Sequence, residues 1–184
     1  MRRDARERRE RLVCAAAEVF EREGYHVPLE KIAAAAAVGR ATLYRNFPDR
    51  TALAIAVIEA HIDGLAKRIE LIGERTDAFF ISLRELANLA LATRALSRAV
   101  REEGRDTAWI DRLRGRVEAL NAGPLARAKA AGLVRADFDI ADVHMIAQMV
   151  AGGALDTPAS GVPAGADRAL YMLIQGLSPR PQHR

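Results

Sequence analysis

The sequence predicts an all-α protein. Three observations carry this. Alanine supplies 37 of the 184 residues, and arginine supplies 25 of the 28 basic ones; both are good helix formers. Few stretches hold the Val, Ile, Thr and Tyr density of strands. Apolar residues recur at helical spacing along most of the chain, enough for about nine helices. Half of the residues are hydrophobic and 28% are charged. That balance suits a folded soluble protein and excludes wholesale disorder.

The elements follow in order. Residues 4–23 read as a first helix, with Leu12, Ala16, Val19 and Phe20 lining one face. Gly24 stops it, and Tyr25 is available for the hydrophobic contact of a glycine-capped end. A second helix starts at Val27-Pro28, since proline is tolerated in a first turn. It is short, because Val38-Gly39 interrupts the pattern after the alanine run 33–37. The third helix, Arg40 to Phe47, ends before Pro48.

A long helix follows from Thr51, striped by Ile58, Ile62, Leu65, Ile69 and Ile72. Residues 77–102 form one helix or two, stopping at Gly104, and 107–131 form another, with a kink or break expected at Gly123-Pro124. Asp139 reads as an N-cap, with Asp142 as an imperfect capping-box partner. Its helix carries Ile140, Val143, Ala147, Val150 and Ala154. Residues 156–165 read as a loop by composition, and a last helix carries Leu170, Leu173, Ile174 and Leu177.

Several function classes lose their footing here. A single cysteine forms neither an internal disulfide nor a Cys-based zinc site. Asp137, Asp139 and Asp142 lack the glycine and closing glutamate of a calcium loop, so no metal is expected. No apolar run approaches the ~18 residues of a membrane span. The arginine-rich start is followed by no apolar signal core, so a cytoplasmic protein is expected. Four scattered histidines, without paired carboxylates or a nucleophile–base motif, give chemistry no home.

The informative segment is 29–47. Two short helices joined by a tight turn match the helix-turn-helix plan. Ile32 and Val38 are apolar where the helices meet, and Ala33 is small enough to allow close approach. Leu43 and Phe47, at i and i+4, anchor the second helix to its core. Arg40, Thr42, Tyr44, Arg45 and Asn46 are left to present polar groups outward. Such a helix reads base edges and holds phosphates with its side chains. Charge agrees with this placement: residues 1–50 carry 11 basic and 8 acidic groups, the rest 17 and 16.

The run Ala37-Val38-Gly39-Arg40-Ala41-Thr42-Leu43-Tyr44-Arg45-Asn46-Phe47-Pro48-Asp49-Arg50-Thr51-Ala52-Leu53 resembles the recognition segment of TetR-type transcriptional regulators. Its core there is T-L-Y-x-x-F, then a short loop and an A-L opening the long connecting helix. Residues 121–145 and the closing A-L-Y-M-L-I-Q-G-L are similar to the C-terminal part of one subgroup. The chain departs from the pattern at Ala37, where glycine is usual, so a left-handed backbone there is strained. It departs again at Val27-Pro28, where a capping Thr or Ser often touches a phosphate.

The resemblance implies a three-helix DNA-binding domain at 1–48 and a helical ligand-binding and dimerisation domain at 49–184. It implies a homodimeric regulator, more readily a repressor, released from a pseudo-palindromic operator by a small-molecule effector, with no cofactor. By position, Gly39, Arg40 and Ala41 face bases. Thr42, Tyr44, Arg45 and Asn46 contact phosphates or flanking bases, and Arg50 holds a phosphate. An adaptable apolar effector pocket is expected around His61, Leu65, Phe79, Leu83, Trp109, Leu113, Met145 and Met149. A four-helix dimer interface is expected through Val143, Ala147, Val150, Leu170, Leu173 and Leu177. Two alternatives stand beside this reading: a helical dimeric interaction protein of the same fold that no longer binds DNA, and an all-α enzyme.

Overall fold

A computed structural model describes residues 2–104, 107–153 and 162–178. Among the described residues there are eight helices and no strand: α1 (Arg2–Glu23), α2 (Leu29–Ala35), α3 (Arg40–Asn46), α4 (Arg50–Ile72), α5 (Ala78–Glu102), α6 (Ala108–Ala130), α7 (Ile140–Gly153) and α8 (Val162–Gly176). The all-α expectation holds. The chain folds as two compact units, Met1–His61 with Ala92–Trp109, and Ile62–Leu91 with Ile110–Arg184. The division runs through α4 and α5, whereas the sequence expectation placed its boundary at 48/49.

In the first unit, α1 buries Leu12, Val13, Ala15, Ala16, Val19 and Phe20. Position 14 falls outside that arc, so Cys14 is exposed. The Gly24 amide closes on the Phe20 carbonyl at 3.0 Å, and Tyr25 stacks on Phe20 at 5.9 Å between ring centres. This is the glycine-capped end that the sequence predicted. Proline 28 serves as N-cap of α2 and offers no side-chain cap. Asp49 caps α4, accepting from the Ala52 amide at 2.8 Å. That cap starts α4 one residue before the expected Thr51.

The second unit holds the first part of α5, most of α6, and α7 and α8. Residues 77–102 give one helix, and α6 runs through Pro124 without a break. Phe79, at its core, meets Phe80 and Phe138 edge-on at 5.7 and 5.8 Å. At the start of α7 half of the expected box forms: Asp142 accepts from the Asp139 amide at 2.7 Å, while the Asp139 carboxylate accepts from the adjacent Ile140 amide. The Arg135 amide donates to the Leu177 carbonyl at 2.8 Å, which ties the α6–α7 turn to the end of α8. Residues 162–165 are helical where a loop was expected, and 156–161 lie outside the described residues.

Candidate nucleic-acid interface

The turn between α2 and α3 is built by backbone hydrogen bonds. The Val38 amide reaches the Ala33 carbonyl and the Ala37 amide reaches Ala34, both at 3.0 Å. That pair is the Schellman closure of a helix end. It requires a left-handed residue, and Ala37 takes that role with φ +53°. Helices α1, α4, α5 and α6 end on Gly24, Gly73, Gly104 and Gly132, all with positive φ. Among the described residues Ala37 is the one non-glycine in this conformation, as its sequence position led us to expect.

The turn sets α3 on its anchors. Leu43 and Phe47 are buried, and Ile32, Ala33 and Ala36 form the apolar bed of α2. Leu43 and Phe47 fall one helical turn apart, so the residues between them divide by face. Gly39, Arg40, Ala41, Tyr44 and Arg45 are exposed, while Thr42 and Asn46 flank them half-buried. The seven residues expected to meet DNA from this helix and its cap thus form one outward strip, edged by Thr42 and Asn46.

The strip is held in order by its own polar contacts. Arg40 Nε lies 3.2 Å from Glu30 Oε1, and its guanidinium lies 5.6 Å from the Tyr44 ring centre. Both partners of this pair are exposed, so the pair stabilises little. Arg45 Nη2 donates to Thr42 Oγ1 at 3.1 Å, and Asn46 Nδ2 donates to the Thr42 carbonyl at 2.8 Å. From α1, Arg9 lies over the Phe47 ring at 4.9 Å. Lys31 reaches Glu23 at 2.6 Å, and that hydrogen bond holds the Glu23 carboxyl below its ordinary range.

Arg50, expected to hold a phosphate, makes contacts within the chain. Its Nη1 donates to the carbonyls of Tyr25 and Val27, and its guanidinium lies 5.5 Å from the Tyr25 ring centre. It fastens the α1–α2 loop to the start of α4. Sequence reasoning also missed the polar chain next to it, which leads from two buried hydroxyls to the exposed Glu103. The Tyr25 hydroxyl lies 3.2 Å from Thr51 Oγ1, and the Thr51 hydroxyl donates to the Glu103 carboxylate. Tyr25 and Thr51 are buried. Burial pushes the Tyr25 phenol up to about 12; Thr51 pulls the other way, and the Glu103 carboxylate adds to the rise.

The residues expected in an effector pocket divide between the two units, with His61 and Trp109 in the first. Leu65, Phe79, Leu83, Trp109 and Leu113 are buried, and His61 Nδ1 donates to the Val57 carbonyl at 2.8 Å. Met145 and Met149 instead sit on the outside of α7, 58% and 52% exposed. The second unit also buries a polar pair that the sequence did not flag: Ser82 donates to Asn121 at 2.7 Å, and Asn121 to the Val117 carbonyl at 2.8 Å.

The residues expected to form the dimer stripe face the interior of the single chain. Val143, Ala147, Val150, Leu170 and Leu177 are buried within the single chain, and Leu173 is half-buried. An amphipathic helix gives its apolar stripe to its own core first. Among the described residues, the large apolar side chains exposed on α7 and α8 are Met145, Met149, Tyr171 and Met172, the last two 53% and 61% exposed. Among the described residues, no group of His, Cys, Asp and Glu is placed to hold a metal ion, and no helix is long and apolar enough to cross a membrane.

Fold and strip together define a helix-turn-helix protein with a separate helical body. Comparison with known proteins narrows the class. Residues 12–57 match the model for bacterial regulatory proteins of the tetR family, and residues 75–179 match the C-terminal domain of SbtR-like transcriptional regulators. The second match alone spans more than half of the chain, so the chain belongs to the TetR family of transcriptional regulators. A TetR transcriptional regulator of Streptomyces coelicolor is 30% identical with a TM-score of 0.73, covering 94% of this chain and 99% of that one. A TetR regulatory protein of Mycobacterium vanbaalenii is 29% identical with a TM-score of 0.71, covering 96% and 98%. Among curated relatives, the HTH-type transcriptional activator FasR of Mycolicibacterium smegmatis is 39% identical over 64 residues, which is 34% of this chain and 29% of FasR. The match thus spans under a third of that relative's length.

Proposed function

We infer that this chain is a homodimeric, DNA-binding transcriptional regulator that represses from a pseudo-palindromic operator and is released by a small-molecule effector. The observation that carries this reading is the outward strip of α3 on its Leu43 and Phe47 anchors. Gly39, Arg40 and Ala41 meet base edges in the major groove. Thr42, Tyr44, Arg45 and Asn46 hold the flanking backbone, where contacts fix register and not sequence. Arg50, whose Nη1 is committed to the loop carbonyls, meets a phosphate with its remaining donors.

Two copies join through α7 and α8. The support is the exposed apolar quartet Met145, Met149, Tyr171 and Met172, which water covers poorly in a lone chain. Two recognition helices then lie about 34–36 Å apart, one turn of DNA, or a multiple of it. An effector within the helical body tilts α4 and changes that spacing, and coupling of ~1–3 kcal/mol shifts operator occupancy tenfold or more.

Selection of bound duplexes from a random library tests the reading. The expected result is a pseudo-palindromic winner whose affinity falls steeply with salt, as counterions are released from neutralised phosphates. No enrichment by the folded, dimeric protein, with and without candidate effectors, overturns it in favour of an interaction protein of the same fold.

A further inference from the structure

The polar chain from the buried Tyr25 and Thr51 to the exposed Glu103 points to a positioning role that the DNA-reading strip itself does not reveal. We propose that Glu103, at the end of α5, holds the DNA-reading helices in their binding orientation by accepting the Thr51 hydroxyl, and that regulation acts by releasing this hold. The proposal deepens the reading of the chain as a DNA-binding regulator and rests on it.

The direction of the hydrogen bonds follows from chemistry. A carboxylate only accepts, so Thr51 donates to Glu103, and its oxygen is left to accept from the Tyr25 hydroxyl. The chain therefore runs one way, from phenol to hydroxyl to carboxylate, and each bond strengthens the next. The phenol keeps its proton, since burial pushes it up to about 12. Glu103 is the acidic end on which the chain depends.

Its placement joins three elements. Tyr25 lies in the loop between α1 and α2, Thr51 in the first turn of α4, and Glu103 just past the end of α5. Arg50 ties the same loop through the Tyr25 and Val27 carbonyls. Glu102, the neighbouring acid, is turned to Arg98 at 2.7 Å, so the two glutamates have separate tasks. Helix α5 begins in the second unit, where Phe79, Ser82 and Leu83 are buried, and ends in the first, where Val100 is buried. A displacement of this end of α5 draws Glu103 away from Thr51, and a hydrogen bond fades within about 1 Å of stretch. The Thr51 hydroxyl is then buried without its acceptor, which frees the α1–α2 loop and the start of α4.

The test compares wild type with Glu103→Ala, Glu103→Gln and Thr51→Val in the whole 184-residue chain, by titration of a selected operator at several salt concentrations. Glu103→Ala is expected to weaken operator binding about tenfold, the scale of a charge-assisted hydrogen bond. The salt slope is expected to stay unchanged, because no phosphate contact is lost. Glu103→Gln keeps an accepting oxygen and stays within about threefold of wild type. Thr51→Val is expected to match Glu103→Ala, and the double variant to be no worse than either single one. Glu103→Ala binding as wild type does, or losses that simply add, overturns the proposal.

Hydrogen exchange separates this failure from failure of the DNA-binding reading. If wild type binds no DNA, that reading falls while the joint is still judged. Faster exchange of the 25–27 and 51–54 amides in Glu103→Ala supports it, and unchanged exchange overturns it.

Discussion

Replacing Ala37 by glycine is predicted to stabilise the protein. Ala37 holds φ +53° in the turn of the helix-turn-helix, and its methyl group is exposed, so the change removes no packing. A left-handed conformation costs an L-residue about 1–2 kcal/mol. The added freedom of glycine in the unfolded chain returns about 0.4–1 kcal/mol of that. The net is a gain of roughly 0.5–1 kcal/mol, or about 1–4 °C in Tm for a chain of this size. The molecule carries its own reference at Gly132, where φ is +66° and the same closure appears. There the Leu133 amide reaches the Ala128 carbonyl and the Gly132 amide reaches Lys129, both at 2.9 Å. Gly132→Ala is accordingly expected to lose about as much as Ala37→Gly gains. Urea midpoints and Tm values at one protein concentration measure both changes. A loss of stability in Ala37→Gly, or no change in Gly132→Ala, refutes the reasoning.

Three further outcomes are expected. The raised phenol of Tyr25 contributes stability that is complete below pH 10 and is lost as pH rises towards about 12, because the unfolded phenol releases its proton first. Alkaline unfolding of wild type and Tyr25→Phe checks this: the variant should lose less stability between pH 10 and 12, and parallel curves would contradict the assignment. Asp139→Ala removes the cap of α7 and is expected to cost about 0.5–2 kcal/mol in urea unfolding. Met149→Glu, on the exposed quartet, is expected to bring two carboxylates together across the interface and shift the protein to monomer in sedimentation. Dimers that persist unchanged would place the interface elsewhere.

Much of the DNA-reading head was legible because its signals are local. Gly24, the Ala37 turn and the Leu43–Phe47 anchor are each set by a few neighbouring residues, and all three hold in the structure. The Asp139–Asp142 box was readable for the same reason. The misses are long-range. Thr51 and Glu103 are 52 positions apart, and no spacing rule connects them. Ser82 and Asn121, 39 apart, are likewise joined only by the packing of α5 on α6. On α7, periodicity identifies an apolar stripe but not its partner. Val143, Ala147 and Val150 therefore read equally well as core or as dimer face, and the fold assigns them to core.

The most direct test of the central claim is a titration of the selected operator with wild type, Arg40→Ala and Tyr44→Ala. Both side chains lie on the exposed strip of α3, so neither change should disturb folding or dimerisation. The account predicts weaker binding by about 1–3 kcal/mol for Arg40→Ala and a comparable loss for Tyr44→Ala, with Tm and oligomeric state unchanged. Wild-type affinity in both variants would contradict the assignment of α3 as the helix that reads DNA.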